Sequence, residues 1–174
     1  MNKITVLTSA LLVVSSLACT QETIEIDMHA LTAEGIGAKI GTITVKDTPK
    51  GTEFVPNVNG VSTGMHGFHV HEVANCGPAD KDGQSVPGLA AKGHFDPGNT
   101  GVHAGPEGSG HLGDLPALNA GQDGKAVDAV VAPRIKTSDL KGHALIIHAK
   151  GDNYSDVPDA LGGGGARFAC GLIP

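Results

Sequence analysis

Large aromatic residues are almost absent from this sequence. Its 174 residues include no tryptophan, one tyrosine and four phenylalanines, against 26 glycines and 10 prolines. A chain of this length is one ordinary domain with room for a core, but it has few bulky side chains to fill that core. We therefore expect an interaction other than apolar burial to help hold the fold together.

Positive charge is also scarce, since 12 Lys and Arg face 18 Asp and Glu, for a net charge of −6. The one long apolar run, "ITVLTSALLVVSSLA", ends at residue 18 and follows Lys3. It is too short to span a bilayer as a mature helix and is typical of an export signal. Removing residues 1–18 would leave residues 19–174 as an acidic domain of net charge −7. Such a charge excludes nucleic-acid binding through the net electrostatic field.

Only three cysteines are present, so an oxidising compartment would leave one of them unpaired. Cys19 follows Leu17 and Ala18, an arrangement that resembles the lipobox of bacterial lipoproteins, in which the cysteine is acylated. Ser16 stands where that motif usually has leucine, and Ser16-Leu17-Ala18 also fits an ordinary cleavage site. Both alternatives stay open, although lipidation would dispose of Cys19 as a free thiol.

No amphipathic helix of useful length occurs in the sequence. Short β-branched runs alternate instead with polar residues and are separated by Gly, Asn and Pro, a pattern that predicts antiparallel strands. The runs lie at 23–31, 38–48, 51–58, 67–73, 125–133, 143–149 and 166–173. Together they predict an all-β sandwich or barrel.

Two segments lack this pattern. Residues 74–124 are rich in Gly, Pro, Asp and His, and a structureless loop of that length is unusual in a compact domain. We expect it to be pinned by Cys76 at its start and by metal-ligand residue types within it. The second segment, 150–166, contains four consecutive glycines, which permit either tight turns or a flexible linker.

Histidine is abundant, with nine in the chain. His69 and His71 in "HGFHVHE" lie two apart in the company typical of a strand, so both rings should leave the same face. They are either half of a metal site or surface strand histidines. Further candidates lie in the long loop or end an apolar strand: His94, His103, His111, Asp114 and His148. Loop ligands closing on a metal ion would order the loop, since binding free energy becomes folding free energy.

Five motifs together carry a resemblance to a known family. "HGFHVHE", "GHFDP", "GHLGDLP", "LIIHAKGDNYSD" and "LGGGGARFACG" resemble, in the same order, the motif set of bacterial periplasmic copper/zinc superoxide dismutases. The resemblance covers nearly all of the chain after residue 22. It implies a flattened Greek-key β-barrel of about eight antiparallel strands, with long metal-binding and electrostatic loops. It also implies the periplasm of a Gram-negative-type bacterium, with the protein either soluble or lipid-anchored.

The metal ligands of that family match positions of this sequence one by one. The resemblance implies copper ligands at His69, His71, His94 and His148, and zinc ligands at His94, His103, His111 and Asp114. His94 would bridge one copper and one zinc ion per subunit. Four imidazoles suit copper that cycles between Cu(II) and Cu(I), and three imidazoles with a carboxylate suit tetrahedral zinc. Asp152 matches a carboxylate that joins a copper ligand to a zinc ligand, expected here to be His71 and His103.

The resemblance also implies the reaction. Arg167 matches the arginine beside copper, where a guanidinium suits a small anion, and a disulfide between Cys76 and Cys170 would tether the long loop close to it. The expected enzyme disproportionates superoxide to dioxygen and hydrogen peroxide, with Arg167 and His94 as catalytic residues, and acts as a monomer or homodimer. The alternative is a non-catalytic copper and zinc carrier in the envelope, which would need neither the shared imidazole nor Arg167.

An acidic protein should repel superoxide, so the field at the site must oppose the net charge. Arg167 would supply part of that field, and lysines that flank the loops are candidates for the rest: Lys81, Lys92, Lys141 and Lys150. Three histidines match no ligand. We expect His66 to be structural, and His29 and His143 to be ordinary strand or surface residues.

Overall fold

The computed structural model describes residues 23–174, which form twelve strands. They are β1 (Thr23–Thr32), β2 (Gly35–Thr48), β3 (Gly51–Asn59), β4 (Gly64–His66), β5 (Phe68–His71), β6 (Ala79–Lys81), β7 (Gln84–Val86), β8 (Leu118–Ala120), β9 (Lys125–Ala126), β10 (Val130–Ala132), β11 (Ala144–His148) and β12 (Arg167–Leu172). Short 3₁₀ turns lie at Leu89–Ala91, Thr137–Asp139 and Ala160–Gly163. Within the described part, no helix is both long enough and apolar enough to cross a bilayer. The expected export signal and Cys19 lie outside the described residues.

Eight of these strands form one antiparallel sheet in the order β10-β3-β2-β1-β12-β11-β5, with β9 also paired to β3. β1, β2 and β3 are consecutive hairpin neighbours, and β12 returns from the end of the chain to lie beside β1. That connection is a Greek key. The expected all-β Greek-key fold of about eight strands is confirmed.

The core is built mainly from aliphatic side chains at alternate strand positions. Ile26 and Met28 of β1 are fully buried, while Asp27 between them is exposed, as the period of two in a strand requires. Phe54 and Phe68 pack edge to face with ring centroids 5.5 Å apart, a preferred aromatic geometry. Other buried members are Ile43, Val45, Val58, Val70, Leu115, Leu118, Ile135, Leu140, Leu145 and Ile147. The core thus combines two fully buried aromatic rings with many aliphatic side chains, and Phe95 and Phe168 pack against it.

The long segment 74–124 is pinned, as expected. Cys76 forms a disulfide with Cys170 of β12, with a Cα–Cα distance of 5.7 Å, and both cysteines are buried. The segment also contains pairings that the sequence did not predict, namely β6 with β7 and β8 with β4. Strands of three residues are too short to show a periodic pattern.

The antiparallel pairing of β5 with β11 sets the geometry of the histidine cluster. In this register His69 pairs with Ile146 and His71 with Ala144, so His69 lies nearer to His148 at the end of β11. Gly67 ties this end together, since its carbonyl accepts a bond from the His148 N–H at 2.8 Å and its N–H donates to the Lys150 carbonyl at 2.7 Å. The segment that follows β11 therefore starts beside His69.

Candidate metal centre

Buried imidazoles and carboxylates meet in two adjoining groups. In each group the donor atoms lie within 4.8 Å of one another, and the groups are His69, His71, His94 and His148, and His69, His94, His103 and Asp114. The structure thus brings together all four side chains expected to bind copper. Of the expected zinc set, His111 lies at the edge of the second group, with its Nδ1 atom 3.4 Å from Asp114 Oδ1.

Backbone pairing delivers the loop residues to β5. His94 pairs with His71, and Asp114 pairs with His69, as isolated antiparallel bridges. The outer edge of β5 would otherwise leave its peptide groups without partners. The loop supplies partners at Val70, whose carbonyl accepts a hydrogen bond from Phe95 N at 2.8 Å and whose N–H donates to the Gly113 carbonyl at 2.9 Å. The loop is therefore held against the strand by its main chain as well as by its side chains.

His71 and His148 present ring nitrogens to each other. The Nδ1 atom of His71 lies 2.9 Å from the Lys92 carbonyl, and that of His148 lies 3.2 Å from the Gly165 carbonyl. A carbonyl only accepts, so each N–H lies on Nδ1 and each Nε2 carries a lone pair. The two Nε2 atoms are 3.4 Å apart. Burial lowers the pKa of His148 to about 4 and that of His71 well below its ordinary value, so both rings are neutral and their facing lone pairs suit a cation.

Asp152 bridges His69 and His103. Its Oδ2 atom lies 2.7 Å from His69 Nε2, and its Oδ1 atom lies 2.8 Å from His103 Nε2. Because the carboxylate accepts both N–H bonds, the Nδ1 atom of neutral His69 carries a lone pair, and the Nδ1 atom of His103 faces Asp114 Oδ2 at 3.0 Å. The Nδ1 atoms of His69, His103 and His111 are buried and make no well-aligned hydrogen bond among the described residues, although Asp114 oxygens lie 3.0 Å from that of His103 and 3.4 Å from that of His111. Buried polar atoms without partners are rare and costly, and three in one cluster fit a metal-binding donor set.

The expected partner of Asp152 was wrong in one respect, because Asp152 bonds His69 and not His71. The register of β5 with β11 brings the chain after His148 to the His69 end of β5. His71 has its own acceptor in the Lys92 carbonyl. The expected contact with His103 is present.

The two groups differ in the protonation of their side chains. Burial lowers the pKa of His69 to about 3, and it also lowers the pKa of His94 although Asp114 acts in the opposite direction. Burial would raise the pKa of Asp114, but contacts with His103 and His94 hold it far below its usual value. Burial likewise opposes protonation of His103, yet Asp114 and Asp152 raise its pKa to about 9. The group around Asp114 thus contains an ionised carboxylate beside a protonated imidazole, while the other group consists of neutral imidazoles.

A cavity of about 330 Å³ opens over the neutral imidazoles. His71, His94 and His148 line it, and Arg167 and Lys81 form part of its wall. Of the four lysines considered above, Lys81 is therefore the one placed along the cavity. Lys141 lies elsewhere, beside Ile24 and Thr137.

The Lys92 carbonyl is a functional group that sequence reasoning missed. It accepts bonds from His71 Nδ1 and from Arg167 Nη2, while Arg167 Nη1 donates to the Gly88 carbonyl at 2.7 Å. Lys92 adopts φ 63° and ψ −147°, a conformation that costs a residue with a side chain about 1–3 kcal/mol. A main-chain acceptor leaves no trace in side-chain patterns. One peptide group therefore orients both an imidazole and the guanidinium.

The consecutive glycines form tight turns rather than a flexible linker. At Gly162 (φ +72°), a Cβ atom would lie 1.9 Å from Asp152 Oδ1 and 2.7 Å from His103 Nε2. Any side chain there would displace the carboxylate that bridges His69 and His103. The glycine is needed for this close approach as much as for its backbone conformation.

The three histidines without a matching role lie outside both donor groups. The His66 ring is buried between the carbonyls of His148 and Ser62, each 2.7 Å from a ring nitrogen. His143 bonds the Glu72 carbonyl at 2.8 Å, and His29 bonds that of Gly37 at 3.2 Å. All three therefore contact the main chain, as structural residues do.

Comparison with known proteins agrees with this geometry. The sequence model of the copper/zinc superoxide dismutase family matches residues 39–173. Superoxide dismutase [Cu-Zn] of Escherichia coli (strain K12) is 53% identical over 150 residues, which cover 86% of this chain and 87% of that protein. The structure of Cu/Zn superoxide dismutase from Brucella abortus superimposes with a TM-score of 0.87 at 51% identity, covering 88% of this chain and 100% of that one. The solution structure of the monomeric copper, zinc superoxide dismutase from Salmonella enterica gives a TM-score of 0.79 at 50% identity, with the same coverage. The chain therefore belongs to the copper/zinc superoxide dismutase family, and it is an oxidoreductase with copper and zinc as its cofactors.

Proposed function

We propose that copper binds in the first donor group and zinc in the second, with His69 assigned to copper and His111 completing the zinc set. Copper is held by His69, His71, His94 and His148, and zinc by His94, His103, His111 and Asp114, with the His94 imidazole shared. The observation that carries this division is the contrast in donor types, since one group consists of imidazoles alone and the other contains the Asp114 carboxylate. Neutral imidazoles suit a metal that cycles between Cu(II) and Cu(I), whereas a carboxylate with imidazoles suits redox-inactive zinc.

The side chains around copper have separate tasks in dismutation. Bound copper would supply the one-electron chemistry by which two superoxide anions and two protons become dioxygen and hydrogen peroxide. Arg167 attracts the anion into the cavity and is oriented by the carbonyls of Gly88 and Lys92. His94 lines the same cavity and has its Nδ1 atom 2.9 Å from Asp114. Its Nε2 atom is therefore the position at which the chain carries a proton to the peroxide product.

The role of Arg167 can be tested by substitution. Arg167→Ala removes a positive charge and paired N–H donors from the cavity wall, and we expect kcat/KM for superoxide to fall roughly 10- to 100-fold. The residual rate should also depend less on ionic strength. Arg167→Lys keeps the charge without the planar fork, so its kcat/KM should lie between those of the parent and Arg167→Ala. Pulse radiolysis over a range of salt concentrations measures both effects.

Lys141→Ala is the matched control, because Lys141 lies away from the cavity. We expect it to keep the kcat/KM of the parent protein and its salt dependence. An Arg167→Ala protein with normal metal content and the parent kcat/KM would show that Arg167 does not guide the substrate.

Metal content and activity measured on one sample test the ligand assignment as a whole. Dismutation should rise in proportion to bound copper when zinc is held saturating. An envelope carrier of copper and zinc is not favoured by membership of the family, and it would show full metal loading without turnover.

We also propose that residues 1–18 are an export signal and that residues 19–174 act in the periplasm. The Cys76–Cys170 disulfide supports this location, since such bonds persist in oxidising compartments. Cys19 is either the acylated first residue of a membrane-anchored protein or part of an ordinary soluble product. Mass spectrometry of the mature N-terminus separates the two, and sedimentation equilibrium separates monomer from homodimer.

A further inference from the structure

Arg134 donates four hydrogen bonds to a single turn of the long loop. Its Nε atom donates at 3.0 Å, Nη1 at 3.2 Å, and Nη2 at 3.3 and 2.5 Å. The acceptors are the carbonyl oxygens of Pro106, Gly110, Gly105 and His111, in that order. An arginine has five N–H donors, so this turn occupies most of them. The turn is also the stretch of chain that separates His103 from His111.

The turn is held by this guanidinium together with a hydrogen bond from His111 N to the Val102 carbonyl at 2.9 Å and the close approach of Tyr154 to Gly105. It folds tightly on itself, because a Cβ atom at Gly108 would lie 2.3 Å from the Ala104 carbonyl, and one at Gly110 would lie 2.2 Å from that of Val102. Glycines lose more backbone entropy on folding than other residues, and four carbonyl dipoles that converge on one point repel one another. A planar cation with forked donors offsets both costs.

Arg134 itself is fixed by the barrel. It follows Pro133 and precedes Ile135, whose side chain is 1% exposed. The Ile135 carbonyl accepts a hydrogen bond from the buried Thr52 hydroxyl at 2.7 Å, and Thr52 pairs with Ala132 across β3 and β10. The guanidinium therefore connects a rigid part of the sheet to the turn that lies between two expected zinc ligands, His103 and His111.

We propose that Arg134 is a positioning residue for the zinc half of the centre, holding His103 and His111 at the separation that zinc binding needs. The inference rests on the zinc set proposed above. Arg134 acts through backbone carbonyls, and it lies outside both donor groups and outside the wall of the cavity. His71 and His148 are held instead by β5 and β11. The effect should therefore be selective for zinc.

Arg134→Gln in the full mature protein tests the proposal. We expect its zinc affinity, measured by competition with a chromogenic chelator, to fall about 10- to 100-fold, as for other residues that support metal ligands. The ligand-field spectrum of Co(II) bound in place of zinc should shift. Copper affinity should stay within about 3-fold of the parent, because a substitution that is distant from the copper ligands should have only a small effect on them. Arg134→Lys, with one ammonium in place of the fork, should bind zinc with intermediate affinity, and it decides the question if the glutamine variant does not fold. Lys136→Ala, an exposed cation two residues away, should match the parent.

Two results would overturn the proposal. One is unchanged zinc affinity and an unchanged Co(II) spectrum in Arg134→Gln, and the other is an equal loss of both metals, which would indicate a general structural role. His111→Ala, measured in parallel, separates this inference from the assignment beneath it. If that variant retains parent zinc affinity, the zinc set is wrong and the proposal falls with it. If it loses zinc while Arg134→Gln does not, the role of Arg134 alone is wrong.

Discussion

Replacing His148 with alanine is expected to lower superoxide dismutation by more than about 100-fold while zinc content stays close to that of the parent. Loss of a residue that only supports a metal ligand costs about 10- to 100-fold, so loss of a ligand should cost more. His148 belongs to the neutral imidazole group and is absent from the group around Asp114. Copper and zinc should be quantified on the sample used for the activity assay.

His29→Ala is the control for this experiment. His29 is a histidine of the same sheet, its Nδ1 atom contacts the Gly37 carbonyl at 3.2 Å, and it belongs to neither donor group. It should retain the activity and the metal content of the parent. Full activity in His148→Ala would remove His148 from the copper set, and equal loss of both metals would mean that the two groups do not bind their metals separately.

Removing the disulfide is expected to cause the largest loss of stability. The two cysteines are 94 residues apart in sequence, and closing a loop of that length is worth about 4–5 kcal/mol in the chain-entropy model, within a measured range of about 2–5 kcal/mol for native bridges. At roughly 2–4 °C per kcal/mol for a domain of this size, the Tm should fall by roughly 4–20 °C over that measured range. Both cysteines are replaced together, as Cys76→Ala with Cys170→Ala, because serine would bury unpaired hydroxyls. Calorimetry at equal metal loading measures the change in Tm.

Activity should fall together with stability in this double variant. The segment after Cys76 supplies the Gly88 and Lys92 carbonyls that orient the Arg167 guanidinium. Loss of the disulfide that holds this segment should therefore also disturb Arg167. Reduction of the parent protein by dithiothreitol should reproduce both effects and should have no further effect on the variant. A Tm within about 2 °C of the parent, which corresponds to less than about 1 kcal/mol, would contradict the expected stabilisation.

Strand positions could be predicted well because each long strand has one face in the core. The alternation in 23–31 and 38–48 corresponds to β1 and β2, and the apolar run in 143–149 corresponds to β11, in which every residue is buried. Hydrophobic alternation is a local property, so it can be read without knowing the partner strand. The predicted run 67–73 proved to be β5, with the separate β4 before it. Gly67 divides the two because its peptide bonds are used by the segment around His148.

Contacts between distant segments could not be predicted in the same way. The bonding of Asp152 to His69 rather than His71 follows from the register of β5 with β11, which no local pattern encodes. The Lys92 carbonyl acts through its main chain, so its side chain gives no indication of that role. Arg134 lies in a segment with no motif, and its acceptors are carbonyls more than twenty residues earlier in the chain.

The sequence by itself determined the fold class, the candidate ligands and the family, because strand periodicity and short ligand motifs are local and survive as readable patterns. Tertiary structure alone decided which ring nitrogen is free, which carboxylate holds which imidazole, and how the barrel holds the long loop. Those features depend on donors and acceptors from segments far apart in sequence, and each buried polar group finds its partner only when the sheet has closed around it.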